Sequence, residues 1–498
     1  MERLSGLDAR FLSLETPTHH MHVALTMIFD PSTVPGGYSF GGIRRAIGER
    51  IPDAPAFRRR LVEVPFRLGH PVWVDDPDFD IDRHVRVTAV PAPGGLRQLA
   101  ELAGDITGRR LDRTRPLWEM WVVEGLTDGR IGIIAKMHHS TVDGDSGAAL
   151  LSTLFDLEPD PPAQPPPHQP DPDDRVPSGL QLVSQALGDR PLRPLAMAAD
   201  LVRTGQKALG GGRVRRSPGD RKGRAAALPP PAPRTSFNGP LGRRRTVALS
   251  AIGVRDVERL EGATGTTVDD VVLAVCTGAL RSYLVDGNEL PDRPLVAVVP
   301  VVAGARAGGR PDTDPASARL VELPANLDDP IDRLMAIHEG TRGAEGGEQA
   351  RGADTPAPWA GHSAATVLAN AARAYSAMQP VRRRRPAANL VVTSIPGPDF
   401  PLYLGGAELT ACAPLGPVLD GMGGNITVMS YRGVLYWGIQ ACPKTITMAW
   451  RLADAVPHSL DELLAGAGLA PADYRWREAA DAVRAAGCGP ERPGPAAP

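Results

Sequence analysis

A run of prolines after residue 157 limits the folds available to this chain more than any other feature. The segment 158–167 reads EPDPPAQPPP, and because proline has no backbone N–H, such a run cannot continue a helix or enter the middle of a sheet. The chain of 498 residues is also too long for one hydrophobic core. We therefore predict a domain at 1–157, a crossover linker with a helical patch at 158–240, a second domain at 241–487 and a disordered tail at 488–498.

Both predicted domains alternate β-rich and helical segments, which is typical of an α/β fold. Asp128-Gly129 and Arg432-Gly433 each separate two β-rich runs and predict hairpin turns, because glycine adopts positive φ at little cost. Thr267 is followed three residues later by an acid and then by an apolar face, which predicts the start of a helix. The β-rich runs lie at 22–29, 119–124, 131–137, 295–302, 389–394, 425–431 and 434–439, and a further helix-like stretch lies near 96–111.

Charge and cysteine usage exclude several classes of protein. A formal net charge of −2 argues against a dedicated nucleic-acid binder. The four cysteines have no C-x-x-C spacing, so we expect neither a zinc site nor a disulfide framework. The first residues lack the apolar core of a signal peptide, and no stretch approaches the roughly 20 apolar residues of a spanning helix. We expect a cytoplasmic protein, with peripheral contact at the inner membrane or at lipid inclusions left open.

The run HHSTVDG at 138–144 is the strongest chemical signal. Adjacent histidines at the end of a strand point in opposite directions, so His138 and His139 are poorly placed to share one metal ion. A single imidazole has a pKa suited to taking a proton from an alcohol near neutral pH. Asp143 could orient the loop, and Gly144 would leave room for a large substrate. From spacing alone, the alternative that these residues are core or helix-capping positions stays open.

The run resembles the HHxxxDG signature of the wax ester synthase/diacylglycerol acyltransferase family, whose relatives include chloramphenicol acetyltransferase and the condensation domains of peptide synthetases. The resemblance covers most of the chain and keeps the family's order. Its other segments are LDARFL at 7–12, MHV at 21–23, PVWVDDPDFD at 71–80, LDRTRPLWEMW at 111–121, TVDDVVLA at 267–274, IPGP at 395–398 and LDGMGGNIT at 419–427.

The resemblance implies two chloramphenicol-acetyltransferase-like domains, each a mixed β-sheet with helices, and a substrate tunnel between them. It also implies an acyl-CoA-dependent O-acyltransferase that moves a long-chain acyl group to diacylglycerol or a fatty alcohol. His139 would be the general base, while His138, Asp143 and Gly144 would shape its loop. Acyl-CoA would be a co-substrate, and no cofactor or metal is expected. Residues proposed to bind substrate are Ser394, Asn425 and Asp270, the first two as guesses for the oxyanion donor.

Departures from the family pattern support an alternative hypothesis. Asp269 stands where many relatives have asparagine, Thr393-Ser394 replaces Ser-Asn, and 311–319 lacks a Gly-Asn pair. The chain could therefore be a weak or inactive member that binds acyl-CoA or lipid at membranes or inclusions. A condensation enzyme that uses carrier-protein thioesters is less favoured, because the chain contains no carrier or adenylation module.

Two further clusters have open interpretations. His19, His20 and His22 resemble a metal-binding tract, but a structural role is favoured because no distant ligand accompanies them. Four arginines at 382–385 could hold CoA phosphates or an anionic lipid surface, or could simply be a solvated loop.

Overall fold

The computed structural model of the chain describes two large sheets, one small sheet and the helices that pack on them. It describes residues 2–4, 12, 15–65, 70–141, 153–161, 231–300, 318–349, 386–472 and 474. Features predicted above that lie outside the described residues are Asp143, Gly144, the arginines at 382–385, residues 311–317, the part of the linker at 162–230 and the tail at 488–498.

The elements of the described residues follow the predicted α/β pattern. The strands are β1 (Glu2–Arg3), β2 (His22–Asp30), β3 (Arg59–Val62), β4 (Val72–Asp75), β5 (Val85–Ala89), β6 (Trp118–Glu124), β7 (Ile131–His138), β8 (Thr246–Gly253), β9 (Leu295–Pro300), β10 (Ala318–Leu323), β11 (Leu390–Ile395), β12 (Tyr403–Leu404), β13 (Ala407–Leu415), β14 (Gly424–Tyr431) and β15 (Val434–Ala441). The α-helices are α1 (Phe40–Arg50), α2 (Pro55–Arg58), α3 (Leu96–Thr107), α4 (Val254–Thr264), α5 (Val268–Asp286), α6 (Pro330–Gln349) and α7 (Ala449–Gly466). Each predicted strand is confirmed to within two residues at either end.

The first large sheet has the strand order β12-β13-β2-β7-β6-β5, and β1, β4 and β3 form the small sheet. β6 and β7 are antiparallel neighbours. The predicted turn between them is confirmed, because Asp128 has a φ of 58° and Gly129 a φ of 68°. β2 pairs antiparallel with β7 on its other side, and this register places His22 directly opposite His138.

Helix α3 is shorter than predicted, because it ends at Thr107 rather than near residue 111. Glycine at 108 is a poor helix former. The Nζ of Lys136 in β7 donates hydrogen bonds to the carbonyls of Ile106, at 2.8 Å, and Arg109, at 2.9 Å. A buried ammonium group therefore satisfies carbonyls at the end of the helix, where the helix dipole also favours a cation.

The second large sheet has the order β10-β9-β11-β14-β15-β8. It is mixed, because β11 runs parallel to both β9 and β14 while the other pairs are antiparallel. Helix α5 begins as predicted after Thr267, whose Oγ1 accepts the Asp270 N–H at 3.2 Å while Asp270 Oδ2 accepts the Thr267 N–H at 3.0 Å. The hairpin at Arg432-Gly433 is also confirmed, with φ values of 47° and 75°.

Strand β13 joins the two halves of the chain. It comes from the second half but pairs with β2 in the first sheet, from Glu408 opposite Asp30 to Leu415 opposite Ala24. At Gly438 in β15, an added Cβ would lie 1.8 Å from the Pro414 carbonyl oxygen in β13. The sheets therefore approach so closely at this point that only glycine fits. The boundaries at 157 and 240 stay predictions, but the first sheet is completed by residues from beyond both.

No helix within the described residues combines the length and the apolar character that crossing a bilayer requires.

Candidate active site

The two adjacent histidines lie where β7 ends. His138 is the last residue of the strand, and His139 begins a 3₁₀ turn that spans His139–Thr141. The His138 N–H donates to the Leu117 carbonyl at 2.8 Å, and the His139 N–H donates to the Met21 carbonyl at 2.7 Å. Both side chains are 1% exposed. These two backbone hydrogen bonds therefore fix the positions of both histidines at the end of the strand.

The ring of His138 is committed to the loop that follows it. Its Nδ1 accepts the Ser140 N–H at 3.1 Å and lies 2.7 Å from Ser140 Oγ, while Thr141 Oγ1 donates to the His138 carbonyl at 2.6 Å. An Nδ1 that accepts an N–H carries no proton, so the neutral ring has its proton on Nε2. Burial, followed by the charges of His139 and Arg113, holds the pKa of His138 well below 6.5. His138 is therefore built into the turn as a neutral acceptor.

A buried polar chain continues behind His138. The rings of His22 and His138 meet edge to face with centroids 6.0 Å apart, and His20 stacks on His22 at 5.4 Å. Glu15 Oε1 lies 3.9 Å from His20 Nδ1 and 3.8 Å from His22 Nε2. Burial lowers the pKa of His20 to about 4 and that of His22 well below 6.5. These histidines stay neutral at neutral pH, and their separations from Glu15 are longer than a hydrogen bond.

The histidines at 19, 20 and 22 do not assemble with other ligands into a metal centre. Within the described residues there is no group of three or more histidines, cysteines or acids that could hold a metal ion. The side chain of His22 points to the face of the sheet that also holds His138, in keeping with the structural interpretation.

A buried lysine stands two residues before His138 on the same strand face. Lys136 is 1% exposed and forms an ion pair with Glu119 across the β6–β7 ladder, in addition to its bonds to the end of α3. Burial lowers the pKa of Lys136. Lys136 of β7 thus contacts both β6 and the end of α3, and it stabilises their packing next to the histidine loop.

The residues proposed on the second sheet already have protein partners. Asn425 is 1% exposed, its Nδ2 donates to the Pro417 carbonyl at 3.1 Å, and its Oδ1 accepts from Thr427 Oγ1 at 2.8 Å. Ser394 is half-buried and hydrogen-bonds the carboxyl group of Asp269. Their part in binding substrate stays a prediction.

Asp270 links two helices. Besides capping α5, its carboxylate lies 2.7 Å from His338 Nδ1 and accepts from Thr341 Oγ1 at 2.7 Å, both on α6. Burial opposes ionisation, but the hydrogen bonds from His338, Thr267 and Thr341 outweigh it and lower the pKa of Asp270. These contacts of Asp270 position α6 against α5, and its part in binding substrate stays a prediction.

Residues from both halves meet beside the histidine loop. Met21, whose carbonyl holds His139, packs against Val296 and Val391 of the second sheet. Thr393 lies on the same face of β11 as Val391, is fully buried, and has no hydrogen-bond partner for its Oγ1 within the described residues. Glu15, Lys136 and Thr393 carry no local signal in the sequence, because the surroundings of each are formed by residues that are distant along the chain.

Comparison with known proteins gives one consistent result. The sequence model described as the wax ester synthase/diacylglycerol acyltransferase catalytic domain matches residues 4–272, and that of the family's C-terminal domain matches 316–464. A putative diacylglycerol O-acyltransferase of Mycobacterium tuberculosis is 41% identical over 93% of this chain and 90% of its own. A second one from the same organism is 34% identical over 94% of this chain and all of its own.

Solved structures agree with this result. The wax ester synthase/diacylglycerol acyltransferase from Marinobacter aquaeolei superposes with a TM-score of 0.68 and 28% identity, covering 94% of this chain and all of that one. The first condensation domain of the calcium-dependent antibiotic synthetase has a TM-score of 0.52 and 13% identity, covering 93% and 97% of the two chains. The second similarity is one of fold alone, and the predicted architecture of two mixed-sheet α/β domains is confirmed.

Proposed function

Because the chain belongs to the wax ester synthase/diacylglycerol acyltransferase family, we propose that it transfers a long-chain acyl group from acyl-CoA to the hydroxyl of diacylglycerol or a fatty alcohol. The product is a triacylglycerol or a wax ester. The observation that carries this proposal is the position of His139 at the end of β7, where its N–H donates to the carbonyl of Met21, a residue that packs against the second sheet. Both substrates would reach it through the tunnel expected between the domains.

In the proposed mechanism, His139 removes the proton from the acceptor hydroxyl. The alcohol oxygen attacks the thioester carbonyl, and a tetrahedral intermediate forms. Its collapse breaks the carbon–sulfur bond, releases the ester, and expels CoA thiolate, which takes the proton back from His139. General-base catalysis of this kind contributes about 10²–10⁴-fold in rate. The mechanism needs no cofactor besides the acyl-CoA co-substrate.

His138 is a positioning residue in this mechanism. Its ring is neutral and occupied by Ser140, so it fixes the turn rather than exchanging the substrate proton. Asp143 and Gly144 are proposed to complete the loop. Since the acceptor lipids reside in membranes or inclusions, we also propose peripheral contact with such a surface.

The test is ester formation from radiolabelled palmitoyl-CoA with diacylglycerol or hexadecanol as the acceptor. The wild-type protein should form ester, and His139→Ala should lower the rate by about 10²–10⁴-fold. His458→Ala is the matched control, because His458 is exposed on α7. No ester from either acceptor, with palmitoyl-CoA still bound, would instead support the alternative of a lipid-binding family member without turnover.

A further inference from the structure

A cationic surface lies beside the histidine loop, formed by residues that are distant in sequence. Gly108, after α3, packs on the backbone before β8, since an added Cβ would lie 3.5 Å from the Arg243 carbonyl oxygen and 3.4 Å from Arg245 N. Lys444 lies against the adjacent Gly242, with its Cδ and Cε 3.1 Å from the position of a Cβ there. We call this the arginine surface; its members are Arg109, Arg110, Arg113, Arg243, Arg244 and Lys444.

Part of the arginine surface is held rigidly from below. The Glu15 side chain is 3% exposed, and its Oε2 accepts from Arg113 Nε at 3.0 Å and lies 3.4 Å from Arg110 Nη2. Arg113 also donates to the Leu12 carbonyl at 2.8 Å. The buried Arg245 donates to the Thr18 carbonyl at 2.6 Å and so fixes the segment that carries Arg243 and Arg244. Guanidinium groups fixed in this way can bind phosphate without first losing much conformational freedom.

The positive charge of the surface is not neutralised by nearby acids. Glu15 compensates one charge, and the exposed Asp112 pairs with Arg115, which is not a member of the surface. In the described part of the chain, Arg109, Arg243, Arg244 and Lys444 are exposed and form no ion pair. Several unpaired cations close together favour a ligand with more than one negative charge.

The surface is close to the candidate base but does not include it. Arg110 and Arg245 lie near enough to His20, and Arg113 near enough to His138, for their charges to act on those rings. A ligand bound there through phosphate would need a long neutral arm to bring its reacting group to His139. CoA has this arrangement, because its pantetheine arm separates the thioester from the pyrophosphate and the 3′-phosphate.

We propose that the arginine surface binds the phosphate groups of the acyl-CoA co-substrate. The proposal rests on the proposed function and deepens it. Phosphate is also present in anionic lipid headgroups, but a membrane surface would favour apolar side chains among the cations. The exposed large apolar residues of the described chain are Val87, Leu157, Val285, Phe400 and Met448. None belongs to the segments 109–113 or 243–245, and only Met448, four residues after Lys444, is near a member of the surface in sequence.

Binding of CoA to the full-length protein tests the proposal without turnover, so its result is independent of whether ester is formed. Isothermal titration with CoA should give a Kd for Arg243→Gln/Arg244→Gln that is about three- to twentyfold higher than that of wild type, from two exposed charge contacts. The matched control Arg255→Gln/Arg293→Gln removes the same charge from two exposed arginines elsewhere and should change the Kd by less than about twofold. Arg109→Gln/Lys444→Gln probes the same surface from two other segments and should behave like the first variant.

Binding of a pantetheine derivative and of lipid vesicles shows whether the surface recognises the phosphates of CoA or those of lipid headgroups. S-Palmitoyl-pantetheine, which lacks the phosphates, should bind the wild type and Arg243→Gln/Arg244→Gln equally. An unchanged Kd for CoA in both surface variants, or a rise no larger than in the control, would overturn the proposal. So would variants that lose binding to phosphatidylcholine/phosphatidylglycerol vesicles while they keep their affinity for CoA, because the ligand would then be a lipid headgroup.

Discussion

The division of labour between the adjacent histidines can be tested with one substitution. Asparagine at position 138 places its Oδ1 close to where histidine places Nδ1, so His138→Asn retains an acceptor for the Ser140 N–H and hydroxyl. The Nε2 that it lacks is buried and has no hydrogen-bond partner within the described residues. His138→Asn should therefore preserve the turn, whereas His138→Ala removes the acceptor altogether.

The magnitudes follow from the bonds lost. His138→Ala leaves the buried Ser140 N–H unsatisfied, which costs about 1–3 kcal/mol, and loses a second hydrogen bond worth about 1 kcal/mol. We expect its free energy of unfolding to fall by about 2–4 kcal/mol and that of His138→Asn by about 1 kcal/mol. A turn displaced by about 1 Å costs on the order of 10²-fold in rate, so His138→Ala should lose about ten- to hundredfold in kcat. His138→Asn should stay within about threefold of wild type.

Two measurements check this expectation: urea unfolding followed by circular dichroism, and kcat for ester formation from palmitoyl-CoA. His139→Ala provides the reference for loss of the base. If His138→Asn were stable yet as inactive as His139→Ala, His138 would take part in the chemistry, and the role assigned to it from its hydrogen bonds would be wrong. If His138→Ala matched wild type in both measurements, the turn would not depend on the ring.

Three further predictions concern stability. Three buried histidines have pKa values below their ordinary 6.5, so only the unfolded chain gains protons on them as the pH falls below 6.5. The free energy of unfolding should therefore drop toward pH 4, by up to about 1.4 kcal/mol per pH unit for each histidine. A free energy of unfolding in urea that does not change between about pH 6 and pH 5 would contradict this. These histidines are His20, His22 and His138. Lys136→Met should cost about 3–5 kcal/mol because it leaves Glu119 and two carbonyls without their cation, and adding Glu119→Gln should restore part of the loss in the same assay. Gly438→Ala should lower the free energy of unfolding by more than about 3 kcal/mol in thermal unfolding, because its Cβ would meet the Pro414 backbone. Gly262 on α4 has open space around it, so Gly262→Ala should stabilise the protein by about 0.5–1 kcal/mol. Equal effects of the two substitutions would refute the close approach of the sheets.

Local chemistry made much of the fold predictable. The turns at Asp128-Gly129 and Arg432-Gly433 and the cap at Thr267 each depend on residues within a few positions, and all three are confirmed. The end of α3 was predicted too late, because the lysine that satisfies its carbonyls is about 30 residues further along the chain. Helix termini that are satisfied by tertiary contacts carry no signal in the neighbouring sequence.

The site was predictable in its centre and not in its surroundings. His138 and His139 could be singled out because the two adjacent histidines follow an apolar, strand-like run and precede an aspartate and a glycine. The acceptor role of His138 depends on Ser140, which is only two residues away, whereas its other neighbours in the site are distant along the chain. His22 meets it only through the β2–β7 register, and Glu15 reaches His22 only because the preceding loop folds beneath the strand.

The placement of β13 explains how residues from both halves can form one site. A reaction between two bound substrates requires the base and both reacting groups to be held within about 1 Å of their productive positions. A linker alone cannot fix two domains that precisely. Here the second half contributes β13 to the first sheet, where it is hydrogen-bonded to β2, and β2 in turn pairs with the strand that ends at His138. Because Gly438 lets β15 contact β13 directly, the position of His139 relative to the second sheet is set by backbone contacts through three successive strands.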